Sequence, residues 1–419
     1  MARAKHGSVW LLWIGAVGLG VAAQAGGAEW TVLAYLSGDG SLEQTARHYA
    51  HVLAAVPGSA RVGIAVQIDR GPGFSDEAGG YEDARRVVLQ TTAAGVPRRW
   101  RWSGWRAEVN MGDPATLVEF LAWGAQAVPA EKYLVLLVGH GSGVRPFVAG
   151  SGGRDQGVAY DATSDGDSLA PEEFSAAGPA IVRALGGQRI ELLAIDACFS
   201  ASAEVATEVA SIAGMMAGSP NLLYEPGVPW GSVLGELCER EGLTGETVAV
   251  RAVGAVQSAD TATGAGKGSY SAARLSGVAE LETALRELSD ALCRSMPQAA
   301  PAVTAARAKS ARGGLSEEML DLRAFLQALA EEAEAAELPE ISGRAVAAGQ
   351  ALGAMVVVSY AGERDEHGEA AWTWATFFPP NLTEFPADYL DTGRFARQSG
   401  WGAFLEAYLG HLQRLLWGT

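Results

Sequence analysis

Apolar runs that alternate with helical patterns place the strongest limit on how this chain of 419 residues can fold. The runs are short and rich in Val, Leu and Ile, whereas the segments between them carry apolar residues at helical spacing. This alternation predicts βαβ units, and therefore an α/β fold with a mostly parallel sheet and helices on both faces. Strands are expected at 30–39, 61–69, 133–138, 190–195, 248–257 and 353–360, and helices at 41–56, 110–128 and 171–185.

Some of the helices have recognisable starts. Ser41 opens the helix at 41–56, and Asp113 followed by Pro114 is typical of an N-cap and a first helical residue. Residues 277–350 are rich in Ala, Glu and Leu and predict several helices, without a sustained heptad. The tail, 401–417, is an amphipathic helix that we expect to pack on the body.

The two ends of the chain and these patterns suggest four parts. Arg3 and Lys5 precede an apolar run, and small residues follow it, so we expect a signal peptide over 1–25 that is cut after Ala25. The alternative is a membrane anchor, but the run is shorter than the roughly 20 apolar residues of a spanning helix. An α/β core at 26–275, a helical elaboration at 276–350 and a C-terminal part at 351–419 would follow. The protein is thus expected to be secreted or periplasmic.

The charge balance limits the partners of the protein. Thirty-one Lys and Arg residues against 48 Asp and Glu residues give a formal net charge of −17. Such a charge repels phosphate backbones and anionic membranes and attracts cations. We therefore expect no nucleic-acid partner and no membrane association after the signal is removed.

A histidine and a cysteine follow two of the predicted strands. His140 comes after the strand at 133–138, and Cys198 comes after the strand at 190–195. Chemistry in open parallel sheets collects at the carboxyl ends of the strands, so the two side chains are expected to face one cleft. A thiolate beside an imidazole can attack a carbonyl carbon, and the N–H groups of Gly141 and Cys198 could stabilise the oxyanion.

Asp196 is the informative neighbour of this cysteine. Residues i and i+2 of a strand share a face, so Asp196 and Cys198 point toward the same opening. A carboxylate so close to a thiol disfavours the thiolate unless the negative charge has another partner. We interpret Asp196 as the floor of a pocket for an Arg or Lys side chain. The alternative is that Asp196 caps a following helix at 200–211.

Other chemistries fit the sequence less well. No G-x-S-x-G elbow, P-loop or G-x-G-x-x-G follows a strand. His48 and His51 lie three apart on a helix, but no further ligand is close in sequence, so no metal site is predicted there. Cys238 and Cys293 either pair or stay as buried thiols, and the sequence leaves both open.

Three stretches resemble the clostripain family of cysteine endopeptidases, of the clan of caspases, legumain and gingipains. They are "NMGDPATLVEFLAWGAQAVPAEKYLVLLVGHGSG", "GVAYDATSDGDSLAPEEF" and "IELLAIDACFSASAEVA". The resemblance implies a caspase-like three-layer α/β/α sandwich whose catalytic core spans 26–275. It also implies a dyad of His140 and Cys198, a thioester acyl-enzyme and cleavage after Arg or Lys, with Asp196 in the specificity pocket.

The same resemblance implies self-activation by cleavage in the loop at 141–170, and Arg145 and Arg154 are the candidate positions. The mature enzyme would then be either a single-chain monomer or a two-chain form produced by this cleavage. Some relatives depend on calcium. Asp161, Asp165 and Asp167 offer oxygen ligands for Ca²⁺, although their spacing is not that of an EF-hand.

One segment departs from the family pattern. Where relatives often have Pro-Gly-x-Gly-Trp, this chain has "PGVPWGS" at 226–232, which puts the wall of the substrate cleft in doubt. Glu225 beside it either adds a negative charge to the pocket or is a surface residue. Two alternatives to an endopeptidase stay open: a transpeptidase or sorting protease of the same architecture, and a non-catalytic caspase-like binding protein, which the altered wall supports.

Overall fold

The computed structural model describes residues 27–71, 81–143, 157–310, 318–362, 372–386 and 389–417. A nine-stranded sheet forms the centre, in the order β12-β10-β9-β8-β5-β1-β2-β3-β4. Two small two-stranded sheets, β11-β13 and β6-β7, lie beside it. The strands are β1 (Ala28–Gly38), β2 (Val62–Arg70), β3 (Ala84–Gln90), β4 (Arg99–Ala107), β5 (Ala130–Val138), β6 (Val158–Asp161), β7 (Asp167–Leu169), β8 (Ile190–Asp196), β9 (Ala213–Gly218), β10 (Ser269–Arg274), β11 (Met319–Asp321), β12 (Val356–Ala361) and β13 (Ala375–Phe377).

The five strands in the middle of the sheet, β9, β8, β5, β1 and β2, run parallel. Two antiparallel strands extend the sheet on each side, β3 and β4 beyond β2, and β10 and β12 beyond β9. The parallel strands are buried on both faces, and for this reason they are continuous apolar runs in the sequence. The prediction of a mostly parallel sheet is confirmed.

Helices cover both faces of the sheet. They are α1 (Glu43–Ala55), α2 (Pro114–Ala127), α3 (Pro171–Ala184), α4 (Ala203–Val209), α5 (Trp230–Glu239), α6 (Gly245–Thr263), α7 (Val278–Arg294), α8 (Ala300–Ser310), α9 (Leu322–Ala335), α10 (Pro339–Met355), α11 (Tyr389–Thr392), α12 (Arg394–Gln398) and α13 (Trp401–Trp417).

The two faces have separate hydrophobic cores. Helices α1, α5 and α6 bury one core against the sheet. The other core joins α2, α3 and α4 with the C-terminal helices α7, α9, α10 and α13. The result is the predicted three-layer α/β/α sandwich. The predicted helices at 41–56, 110–128, 171–185 and 401–417 are all present, each within a few residues of its expected ends.

The predicted strand at 248–257 is wrong, because this segment lies inside α6. Thr244 caps that helix by accepting a hydrogen bond from the N–H of Thr247 at 3.2 Å. The buried residues Val248, Ala252 and Val256 are four apart and form one helical stripe. The valines suggested a strand, but their spacing is that of a helix. The strand expected at 353–360 starts later, at Val356, since α10 continues to Met355.

In the ranges described above, no helix is both long enough and apolar enough to cross a membrane. The predicted signal peptide, 1–25, lies outside the described residues, as do Arg145 and Arg154. The proposed division at 275 and 350 stays a prediction, and one hydrophobic core contains residues from both sides of each division.

Candidate active site

The carboxyl ends of β5 and β8 bring the predicted histidine and cysteine to one edge of the sheet. The two strands are parallel neighbours, and Val138 is paired with Asp196. His140 and Cys198 each follow two residues later. His140 is exposed and Cys198 is half-buried, so neither side chain is sealed in the interior.

The backbone at Gly141 lies very close to the backbone of Cys198. A Cβ atom at Gly141 would lie 2.4 Å from the carbonyl oxygen of Cys198 and 3.0 Å from its nitrogen. Such distances exclude any side chain unless the backbone moves. The backbones of Gly141 and Cys198 are therefore in contact. This contact places the two predicted oxyanion donors beside each other.

The imidazole of His140 has two further neighbours. Its Nε2 lies 2.7 Å from Oγ of Ser41, and its ring meets the ring of Tyr160 edge to face, with centroids 6.2 Å apart. Ser41 was predicted to open the first helix, but that helix starts at Glu43 and Ser41 does not cap it. The hydroxyl is instead at the histidine, where it can orient the ring.

A tight turn presents the cysteine. Phe199 has a φ of 54°, which is rare for a bulky residue and costs about 1–3 kcal/mol. The N–H of Phe199 donates to the carbonyl of Asn221, and the Ser200 hydroxyl lies 2.8 Å from the carbonyl oxygens of both Ile195 and Ala197. These bonds hold the strained residue. The Cys198 sulfur accepts a hydrogen bond from the N–H of Leu223 at 3.3 Å.

Asp196 is the last residue of β8, two residues before the cysteine, and is 2% exposed. Three donors surround its carboxylate: the hydroxyl of Tyr270 at 2.6 Å, Nε1 of Trp230 at 2.7 Å and the hydroxyl of Tyr49 at 2.8 Å. Burial raises the pKa of Asp196 to about 6, although the three hydrogen bonds act in the opposite direction. The pKa values of both tyrosines are raised well above their usual range, chiefly by burial, so they remain O–H donors.

The alternative role for Asp196 as a helix cap is wrong. The helix after the cysteine, α4, starts at Ala203, and Ser202 caps it by accepting from the N–H of Val205 at 3.3 Å. Among the described residues, neutral donors rather than a Lys or Arg side chain hold the Asp196 carboxylate.

The segment that departs from the family pattern supports Asp196 from the side. Gly227, with a φ of 82°, packs directly on the Tyr49 hydroxyl, and the N–H of Val228 donates to that hydroxyl at 3.0 Å. Trp230 in the same segment is one of the Asp196 donors. Glu225 is exposed and accepts a hydrogen bond from Thr45 of α1, so it is a surface residue. A cavity of about 280 Å³ lies between α1 and this segment, lined by Tyr49 and Pro226 among others.

A cluster of three buried aspartates lies at the same edge of the sheet, beyond β1 and β2. Oxygen atoms of Asp39, Asp69 and Asp161 lie within 4.8 Å of one another. Burial, followed by the Asp161 charge, raises the pKa of Asp69 to about 8, and burial raises that of Asp161 to about 6. Of the predicted calcium ligands, only Asp161 belongs to this cluster. Asp165 is exposed, and Asp167 accepts a hydrogen bond from the Asn110 amide at 2.7 Å.

Two oxygens of the cluster suit a cation. Within the described part of the chain, Oδ1 of Asp39 and Oδ2 of Asp69 are buried without a hydrogen-bond partner. Once these carboxyl groups ionise, a buried oxygen without a partner is costly, and a hard divalent cation with oxygen ligands removes that cost. The residues present therefore fit calcium.

The sequence signals for these groups were unequal. Asp39 and Asp69 follow or end predicted strands, just as His140 and Cys198 do, so the same rule could have found them. Tyr49, Trp230 and Tyr270 come from distant parts of the chain and have no sequence signature. Cys238 and Cys293, whose pairing was open, are free half-buried thiols.

The fold is the three-layer α/β/α sandwich of the caspase-like cysteine peptidases. The sequence profile of the clostripain family matches residues 77–408. Since this is most of the chain, the protein belongs to the clostripain family and is a cysteine-type peptidase. No curated protein matches the chain.

Solved structures agree with this fold. A secreted C11 cysteine protease from Bacteroides thetaiotaomicron, in complex with an irreversible peptide inhibitor, is similar with a TM-score of 0.65 and 16% identity, covering 90% of this chain and 100% of that one. An inactive zymogen C11 protease from Parabacteroides distasonis has a TM-score of 0.62 and 15% identity, covering 89% of this chain and 98% of that one.

Proposed function

We propose that the protein is an exported endopeptidase that cleaves peptide bonds after Arg or Lys, with Cys198 as nucleophile and His140 as acid and base. The observation that carries this proposal is the backbone contact between Gly141 and Cys198, at the ends of two neighbouring parallel strands. An exposed imidazole and a half-buried thiol that follow neighbouring strands of a cysteine-type peptidase support a Cys-His dyad.

In the proposed reaction the Cys198 sulfur, as thiolate, attacks the carbonyl carbon of the scissile bond. The C–N bond breaks as protonated His140 gives its proton to the leaving amine, and a thioester remains. His140 then takes a proton from water, and the hydroxide attacks the thioester carbonyl carbon. The C–S bond breaks, the product leaves as a carboxylic acid that loses its proton to solvent, and the thiolate beside protonated His140 is restored. The N–H groups of Gly141 and Cys198 would stabilise the oxyanion in both steps, each by about 2.7–4 kcal/mol.

Specificity for Arg or Lys is proposed to come from Asp196. Its carboxylate has about four acceptor sites, and three donors occupy three of them, which leaves capacity for a substrate cation. With a pKa of about 6, the group is mostly ionised at neutral pH. Because the donors are neutral, they hold its geometry without cancelling its charge. Glu225, which is exposed, would add attraction at longer range.

The test uses fluorogenic peptides that end in Arg, Lys or Gln, with the wild type and Cys198→Ala. We expect hydrolysis of the Arg and Lys peptides and none with Cys198→Ala, whereas the matched thiol variant Cys293→Ala retains activity because Cys293 lies in α7, away from the strand ends. Hydrolysis that survives Cys198→Ala would refute the proposal. Absence of hydrolysis and of labelling by an arginine-bearing electrophile would favour the non-catalytic binding protein, and ligation of an added amine would favour a transpeptidase.

Maturation is proposed to involve two cuts. Removal of 1–25 after Ala25 would accompany export to the periplasm or beyond, and N-terminal sequencing of the secreted protein tests this. Self-cleavage at Arg154 or Arg145 would convert a monomer into a two-chain form. If Arg154→Ala still yields fragments with the same new terminus, Arg154 is not the position.

We further propose that Asp39, Asp69 and Asp161 hold a calcium ion. A bound calcium ion would neutralise the three carboxylates and fix the ends of β1 and β2. Asp161 is next to Tyr160, whose ring contacts His140, so an ordered cluster would also steady the histidine. The ion takes no part in the reaction itself.

A further inference from the structure

The edge strand β4 concentrates positive charge in an acidic protein. Residues 84–107 contain six Arg and no Asp, Glu or Lys, whereas the whole chain has a net charge of −17. This strand, Arg99–Ala107, is nine residues long and pairs with β3 on one side. On its other side it is the last strand of the sheet, so its outer N–H and C=O groups have no neighbouring strand within the described chain.

The two faces of β4 differ in chemistry. Trp100 and Trp102 share one face and stack, with ring centroids 5.5 Å apart and planes 22° from parallel. Trp102 is 45% exposed although it is one of the largest apolar side chains. Side chains of a strand alternate, so Arg99 and Arg101, which are both exposed, project from the opposite face.

These two arginines are available for binding, unlike Arg85 and Arg98. Arg85 pairs with Asp83, and Arg98 donates to the carbonyls of Leu89 and Pro57, so both have structural partners. Arg99 and Arg101 make no ion pair or side-chain hydrogen bond with the described part of the chain. Charged residues commonly protect edge strands from pairing, but an exposed tryptophan such as Trp102 does not serve that purpose.

We propose that β4 is a docking edge for an extended segment of a partner protein in which acidic residues alternate with apolar ones. Such a segment would pair with the outer backbone groups of β4 as a tenth strand. Its acidic residues would lie opposite Arg99 and Arg101, and its apolar residues would cover Trp100 and Trp102.

Other occupants fit less well. A second copy pairing through the same strand would bring arginines against arginines, which is unfavourable. A membrane or a linear polyanion needs its charged and aromatic contacts on one side, whereas here they lie on opposite faces of the strand. In the sheet, β4 is four strand spacings from β5, about 19 Å, so a docked segment leaves the candidate active site open. The proposal is independent of the proposed peptidase specificity.

The test measures binding of a fluorescent nine-residue peptide in which Glu and Val alternate, which contains no Arg or Lys to be cut. The comparison peptide has the same composition with all Glu residues first. We expect the alternating peptide to bind more tightly and to slow hydrogen exchange of the amides at 99–107. Arg99→Gln with Arg101→Gln should weaken its binding about tenfold, since two cross-strand charge pairs are lost.

The matched control is Arg323→Gln with Arg414→Gln, which removes two exposed arginines elsewhere and should bind as the wild type does. Equal affinity for the two peptides, or an unchanged affinity in the β4 variant with an unchanged melting temperature, would overturn the proposal. Preferential binding to phosphatidylglycerol vesicles or to a single-stranded oligonucleotide would also overturn the proposal. The same holds for concentration-dependent dimers that become more stable in the variant with Arg99→Gln and Arg101→Gln.

Discussion

Asp196 is the residue whose chemistry can be examined most directly. Its carboxylate is buried, three neutral donors surround it, and its pKa is raised to about 6. A substrate cation would meet an ionised group above this pH and a neutral one below it. The proposed attraction between Asp196 and a substrate cation should therefore titrate within an accessible pH range.

The first prediction concerns this titration. For an Arg substrate, KM should rise as the pH falls from 7 to 5, because protonation of Asp196 removes the charge that binds the guanidinium. For a Gln substrate this rise should be absent. In Asp196→Asn, the Arg substrate should lose about a hundredfold in kcat/KM, and its KM should no longer depend on pH near 6. An unchanged pH dependence in that variant would assign the titration to another group.

Ser41 allows a second prediction at the level of one hydroxyl. Its Oγ lies 2.7 Å from Nε2 of His140, so its loss should let the imidazole rotate. Ser41→Ala should lower kcat about tenfold with little change in KM, because the histidine loses the hydrogen bond that orients its ring. Ser258→Ala, an exposed serine in α6 that donates to the carbonyl of Gly254, serves as control. A change in KM alone would mean that Ser41 binds substrate instead.

At the scale of strands and helices, the sequence predicts best those elements whose burial produces a distinctive pattern of apolar residues. Parallel strands such as β1 and β2 are buried on both faces, so their apolar runs were visible. The edge strand β4 is mostly exposed and carries Arg and Trp, so no apolar run marked it. Helix α6 has valines on its buried stripe. Their β-branched side chains favour a strand, although their spacing is helical, and for this reason the segment was wrongly predicted as a strand.

The candidate site was predictable to the same extent. His140 and Cys198 could be placed because each follows its own strand, and the order of parallel strands brings such ends together. The donors to Asp196 come from α1, α5 and β10, which meet only in the folded protein. No local pattern records that meeting, so these residues could not be found from the sequence.

The contact between the ends of β5 and β8 gives the third prediction. Gly141→Ala would place a methyl group 2.4 Å from the carbonyl oxygen of Cys198 and 2.7 Å from Cβ of Ala197. The two strand ends must then separate, and kcat/KM should fall at least about a hundredfold with a loss of about 1–3 kcal/mol in the free energy of unfolding. Gly254→Ala in α6, where nothing lies within 4 Å, should retain activity and become slightly more stable. An active Gly141→Ala enzyme would contradict the assigned geometry.

For the whole molecule, the buried aspartates link stability to pH and to calcium. Asp69 and Asp161 have pKa values of about 8 and about 6, above those of exposed aspartates, so the folded state holds protons that the unfolded state releases. Their contribution is favourable at pH 4 and is lost as the pH rises toward 8. With a chelator present, the melting temperature should thus fall from pH 5 to pH 8.

Calcium should reverse this loss by taking the place of the protons. At pH 8, calcium should raise the melting temperature of the wild type but not that of Asp69→Asn. In chelator, Asp69→Asn should already melt at a higher temperature than the wild type, because one buried charge is gone. Asp165→Asn separates the two candidate ligand sets, since Asp165 is exposed and lies outside the cluster. If Asp165→Asn rather than Asp69→Asn abolished the response, the ion would bind to the loop carboxylates and the cluster would hold protons alone.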